Sequence, residues 1–308
     1  MLPARLIASS CAACLLAAGP VDAQPTTRPI YRVANQEATP APAQSPADTG
    51  ARVDPQVTPA AVQAPAVEGS PFDLRQRPGE HPLMPCLRLA KQGIAEMDQN
   101  LRGYTATLTK RERISGKLVG PQQMAVKVRQ KPFSVHMKFI QPFAGREVLY
   151  NSSRRDGKLV ALAHDWKRRF GPMPLAPDGS LAMAGQRYPI TMTGIYNLTQ
   201  ELVKIAEQDV KFGECTVTYR TDIPIDKRRT TMIEAVHPVP RSNFRFNIAR
   251  IFIDNEMRIP VAYSAYSWPT TKGGKPILEE EYIYTNLKLN PGLTDADFDE
   301  DNPALFRR

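Results

Sequence analysis

The stretch Phe133-Ser134-Val135-His136-Met137-Lys138-Phe139 decides the fold class. Apolar residues fall at every second position, with Ser134, His136 and Lys138 between them. Successive side chains of a strand point to opposite faces, so the pattern is that of an antiparallel sheet with one dry and one polar face. The same period recurs on both sides. Upstream, Tyr104, Ala106 and Leu108 share one face, Ser115-Gly116 turns the chain, and Met124, Val126 and Val128 line the next strand. Downstream, Gln141-Pro142-Phe143-Ala144-Gly145 leads to Val148-Leu149-Tyr150, and Asp156-Gly157 sets up a strand over 158–163. Connections this short predict a meander of neighbouring strands.

A helix precedes the meander. Leu87, Ala90, Ile94, Met97 and Leu101 form one apolar stripe, Pro85 suits the first turn, and Gly103 is placed to stop it. After the first five strands the rhythm breaks. Pro172, Pro174, Pro177, Asp178-Gly179 and Pro189 mark an irregular excursion. A second helix follows at about 194–208, with Ile195, Leu198, Leu202 and Ile205 as its stripe. Strands then resume over 215–219, 230–236, 246–253, 259–268 and 278–289, and Thr294 is placed to cap a last turn. The class is α+β. Some ten antiparallel strands in one meander must twist and curl, which gives a concave face for the helices to plug.

The ends read differently. Residues 1–23 have the form of a cleavable secretory signal: Arg5, an uncharged stretch at 6–18, and Val21-Asp22-Ala23 before Gln24, with cleavage after Ala23. Cys11 and Cys14 lack the leucine context of a lipid-attachment site. Residues 24–82 are rich in Pro, Ala, Gln and Thr, with apolar residues too small and scattered to bury, and read as a disordered spacer. The β-rich domain is placed at 83–308. The leader's charges cancel and the spacer holds five Arg against six Asp and Glu, so of the chain's net +9 the domain itself carries +10. The basic residues are dispersed, which suits a soluble basic surface, and export argues against a nucleic-acid partner. No later segment reaches the roughly 20 apolar residues of a transmembrane span. Cys86 and Cys215 survive processing and are either a disulfide or two separate thiols.

The sequence contains no nucleophile elbow, metalloprotease helix, phosphate loop or dinucleotide loop. No catalytic residue, metal ligand set or cofactor is assigned. His136 alternates with Lys138 on the polar face and reads as a surface histidine. His164-Asp165 reads as a loop pair, Glu279-Glu280-Glu281 as a solvated strand end, and Lys167-Arg168-Arg169 as solvated loop charge. The expected inner face carries Leu108, Met124, Val126, Val128, Phe133, Val135, Met137, Phe139, Val148, Tyr150, Ile251, Ile253 and Tyr263. Met and Phe make adaptable cavity walls, and they equally make an ordinary core.

The order of these features resembles a known group. Leu101-Arg102-Gly103-Tyr104-Thr105-Ala106, Gly116-Lys117-Leu118, Lys131-Pro132-Phe133-Ser134-Val135, and Gln141-Pro142 before Val148-Leu149-Tyr150 resemble the opening of the bacterial lipoprotein-carrier superfamily of LolA, LolB and RseB. A closer resemblance is to an exported family known as domain of unknown function 1571. It rests on Lys110-Arg111-Glu112-Arg113, Gly145-Arg146-Glu147-Val148-Leu149-Tyr150, Arg187-Tyr188-Pro189-Ile190-Thr191 with Gly194-Ile195, and the segment 293–298. The carrier resemblance implies a strongly curved, incompletely closed LolA-like β-barrel with helices packed on its concave side. It further implies a non-enzymatic extracytoplasmic protein holding a lipid, lipoprotein acyl chain or other amphiphile. The alternative is a structural or sensory envelope domain that meets a protein or polysaccharide on its outer face, with Trp268 and Tyr266 as aromatics to watch.

Overall fold

The structure, a computed structural model, describes residues 69–306. The leader, its cleavage point and the spacer up to residue 68 lie outside the described residues. Packed structure begins earlier than residue 83, where the domain was expected to start. Phe72 and Leu74 are buried against Ile233 and Ile253, and the Arg258 guanidinium carbon lies 5.2 Å from the Phe72 ring centre. Two large apolar side chains just past the Pro/Ala-rich stretch are enough to bind this segment to the sheet.

Helix α1 (Met84–Asn100) carries Pro85 in its first turn and buries Leu87 and Met97. It ends before Gly103, which opens the first strand instead of capping the helix. A Cβ at Gly103 would sit 2.5 Å from the Val128 carbonyl, so close strand approach explains the glycine. The strands are β1 (Gly103–Ile114), β2 (Lys117–Arg129), β3 (Ser134–Gln141), β4 (Glu147–Asn151), β5 (Leu159–Leu162) and β6 (Met173–Leu175). After α2 (Ser180–Met183) and α3 (Ile195–Asp209) come β7 (Thr216–Ile225), β8 (Arg228–Val236), β9 (Ile248–Asp254), β10 (Pro260–Ser267) and β11 (Ile277–Leu289).

All eleven strands of the described residues form one antiparallel sheet, in the order β6-β5-β4-β3-β2-β1-β11-β10-β9-β8-β7. The sheet is curved and does not close into a barrel; β6 and β7 are its two edges. The strand missed by sequence reading is β6, a short edge segment with Pro174 inside the excursion. The first six strands run outward from β1 to one edge. The chain then crosses through α3 to the other edge and works back until β11 pairs with β1. Register breaks in β1, at Thr105/Thr107 against β11 and at Lys110/Glu112 against β2, mark bulges that bend the central strands.

The helices lie on the concave side, with α1 packed on α3. Met97 and Leu101 from the α1 end join Tyr104, Val126, Val128, Val135 and Ile195 in a solid cluster. Each such side chain contributes about 1.5–3 kcal/mol on burial. Part of the convex side is covered too. Phe298, Leu305 and Phe306 pack on Leu149, Val160 and Leu162, and Thr294 caps the 3-10 turn Asp295–Phe298 with a reciprocal bond to Asp297. This tail buries His136, which is only 5% exposed and lies 3.3 Å from Glu147 Oε2. His136 is therefore not a surface histidine; the polar face expected to be wet is roofed by the chain's own end.

Cys86 and Cys215 are free thiols, so the bridge is the alternative not formed here. Burial pushes the Cys86 thiol up to about 11 and the Cys215 thiol up to about 12. No helix of the described residues is long and apolar enough to cross a membrane.

Candidate functional site

Cross-strand register builds a cavity wall on the concave face. Phe139 pairs with Met124, Met124 with Leu108, and Leu108 with Tyr284, one row over four strands. A second row runs Val148, Met137 and Val126, and a third Lys110, Tyr282, Tyr263, Ile251 and Ile233. Over these rows lies α3, whose Leu198, Leu202 and Ile205 face the sheet, and the excursion contributes Met173, Leu175 and Leu181. Between them is a cavity of about 190 Å³. Its lining reaches the surface at Met192, which is 39% exposed.

Of the thirteen residues expected on the inner face, Leu108, Met124, Met137, Phe139, Val148 and Tyr263 line this cavity. Ile251, Ile253 and again Tyr263 line a second one of about 120 Å³ beneath α1 and α3. Val126, Val128 and Val135 lie in the solid cluster, with Phe133 packed against it. Tyr150 is buried against the Phe133 ring, 6.0 Å between centroids. Helix ends thus fill one part of the concave face and leave the other open.

One wall of the cavity is polar, and sequence reading did not foresee it. The Tyr282 hydroxyl donates to Glu112 Oε1 at 2.6 Å, and Lys110 Nζ donates to Glu112 Oε2 at 3.2 Å. Tyr188 and Tyr263 hydroxyls donate to the two oxygens of Glu280 at 2.7 and 3.2 Å, and Arg187 Nε lies 3.0 Å from Glu280 Oε2. Arg245 donates to the Tyr188 hydroxyl and, at 3.2 Å, to Glu201. Glu280 and Glu281 are buried, at 3% and 6% exposure, so the acidic run is not a solvated strand end. Burial raises the Glu280 carboxyl above the usual carboxylate range, against the opposing pull of Tyr188 and the Arg187 charge. Burial likewise raises the phenols of Tyr263 and Tyr282. A wall of hydroxyls, carboxylates and guanidinium groups beside oily strands can seat a molecule with one polar and one apolar end.

A second polar group stands where the β3–β4 and β5–β6 connections meet. Arg146 lines the cavity, with its guanidinium carbon 4.2 Å from the Phe143 ring centre and 5.4 Å from that of Phe139. Its Nη2 is 3.4 Å from His164 Nδ1, and its Nε is buried with no partner among the described residues. Burial lowers the Arg146 pKa. The Asp165 carboxylate accepts the Lys167 N–H and caps the turn Trp166–Phe170. Among the described residues no group of three or more His, Cys, Asp and Glu is placed to hold a metal. Trp268 and Tyr266 are half-buried, with Trp268 Nε1 donating to the His237 carbonyl at 3.0 Å and Tyr266 beneath Arg250.

An open curved antiparallel sheet, helices on its concave side and an oily cavity with a polar wall define an α+β cavity protein. The chain belongs to the family described as protein of unknown function (DUF1571), whose profile matches residues 101–305. No curated protein matches the chain. Solved structures with similar strands include the MucA/MucB complex of Pseudomonas aeruginosa, at 14% identity, covering 70% of this chain and 60% of that one, TM-score 0.39. The lipoprotein LppX of Mycobacterium tuberculosis matches at 14% identity over 70% of this chain and 100% of its own, TM-score 0.34. A LolA superfamily protein from Nitrosomonas europaea matches at 12% identity over 69% and 98%, TM-score 0.28.

Proposed function

We propose that this is a non-catalytic, extracytoplasmic binding protein that holds an amphiphile, a lipid or the acyl chain of a lipoprotein, in the larger cavity. The observation that carries the reading is the pairing of two surfaces on one concave face. Phe139, Met124, Met137, Val148 and the α3 leucines offer hydrocarbon, while Lys110, Tyr188, Arg245 and Glu280 offer hydrogen bonds at the same space. Each methylene transferred from water to such a wall contributes about 0.8 kcal/mol. The polar wall would then orient the head group rather than supply most of the affinity. The secretory form of residues 1–23 supports the compartment.

Native mass spectrometry of gently purified protein, followed by organic extraction, tests the reading. Retained lipid at near one per chain is expected. An extract empty of amphiphile, together with no uptake from added fatty acid or phospholipid, would sink it.

A further inference from the structure

The turn Trp166–Phe170 (Trp-Lys-Arg-Arg-Phe) stands out from the rest of the surface. Trp166 and Phe170 are 62% and 57% exposed, the two most exposed large apolar side chains among the described residues. Their rings meet edge to face with centroids 5.9 Å apart, so they form one projection rather than two stray side chains. The Arg169 guanidinium lies over both, 4.8 Å from the Trp166 ring and 4.9 Å from the Phe170 ring. Lys167 and Arg168 flank it, and Arg168 holds the turn to the β3–β4 connection by donating to the Gly145 carbonyl. One exposed acidic residue, Asp165, caps the turn by accepting the Lys167 N–H and leaves the three basic side chains in excess. The tip therefore presents two aromatic rings within a cluster of positive charge.

That chemistry matches the boundary of an anionic bilayer. Trp and Phe rings gain by leaving water for the headgroup layer, and Lys or Arg beside them meets lipid phosphate. The overall charge of +9 has the sign required. The tip is also continuous with the cavity, since Lys167 and Arg146 both line it. We infer that the Trp166–Phe170 turn is a docking tip for an anionic lipid surface, set at the rim of the cavity. The inference goes beyond the proposed ligand, because surface docking stands or falls whatever the cavity holds.

Two tryptophans make the test direct. In the full chain carrying Trp268→Phe, fluorescence reports Trp166 alone. Vesicles of phosphatidylglycerol and phosphatidylcholine should shift its emission to the blue, and brominated acyl chains should quench it. Phosphatidylcholine vesicles alone should do little, and salt should weaken the response as it screens over about 8–10 Å. In co-sedimentation with the otherwise unaltered chain, Trp166→Ser with Phe170→Ser should lower binding to anionic vesicles by about tenfold or more. Arg169→Glu, which removes one positive charge and adds a negative one, should lower it by a similar factor. Both substitutions lie on the surface, so circular dichroism should stay unchanged. Unshifted Trp166 emission, or binding unchanged by the double substitution, overturns the inference. So does a tip that ignores vesicles and captures a protein instead.

Discussion

The Tyr104 hydroxyl, at the start of β1, accepts the backbone N–H of Ile195 at the start of α3, 3.1 Å away. Both residues are fully buried, and Gly194 between the excursion and the helix has φ of +117°. A Cβ at Gly194 would stand 3.3 Å from that hydroxyl. This bond fixes the helix that roofs the cavity to the centre of the sheet. Tyr104→Phe leaves the Ile195 N–H buried without its acceptor, which costs about 1–3 kcal/mol. Urea unfolding should show the lower midpoint with an unchanged slope. A midpoint equal to that of the parent protein would mean that the helix is held by packing alone.

Glu147 sets the acid limit of the fold. Burial alone would raise its carboxyl, but hydrogen bonds from His136, the Phe306 N–H and Lys138 bring it down to about 2 from an ordinary 4.5. A depressed carboxyl contributes stability that is complete above the unfolded value and is lost as pH falls towards the folded one. Between pH 4.5 and 2 the protein should therefore lose about 3 kcal/mol through this group. Glu147→Gln should lower stability at pH 7 and flatten that acid slope. Thermal melts of both proteins across pH 2–7 check it; parallel curves would show that the carboxylate has no such part.

Ala161 on β5 lines the cavity beside Val148 and Met173. In a filled core, Ala161→Phe would cost about 1–3 kcal/mol through overpacking. Here the ring has space to enter, so stability should change by less than about 1 kcal/mol. Uptake of a fluorescent fatty acid should meanwhile fall at least about tenfold. A large loss of stability with uptake intact would contradict the geometry.

Cys215 is buried and Cys86 half-buried. With Cys86 at about 11 and Cys215 at about 12, almost no thiolate exists at pH 8. Iodoacetamide should label neither in the native protein and both after denaturation, read as two mass increments. Rapid native labelling of Cys215 would show that its region opens far more often than its burial suggests.

The meander was legible because a period of two survives in Phe133, Val135, Met137 and Phe139 whatever surrounds them. Strand β6 was not, since three residues with a proline carry no period. The apolar lining was half legible. Val126 and Met137 face the same side, yet only Met137 meets empty space, because the ends of α1 and α3 fill the region by Val126. That outcome depends on where helices lie, which alternation does not encode. The polar wall was hidden for a different reason. Glu112, Tyr188, Arg245 and Glu280 are far apart in the chain and meet only through strand register and the path of the excursion. His136 was misjudged because the segment that covers it arrives from residues 298–306.

The seam between β1 and β11 has a consequence for how the molecule comes into being. Tyr104 faces Leu289 there, so the middle of the sheet is also the meeting of its first and last strands. Until the final strand is delivered, each half keeps a raw flank where its neighbour belongs. Folding is thereby deferred until the last strand is made, and a chain cut short before Ile277 would be left as two sticky halves.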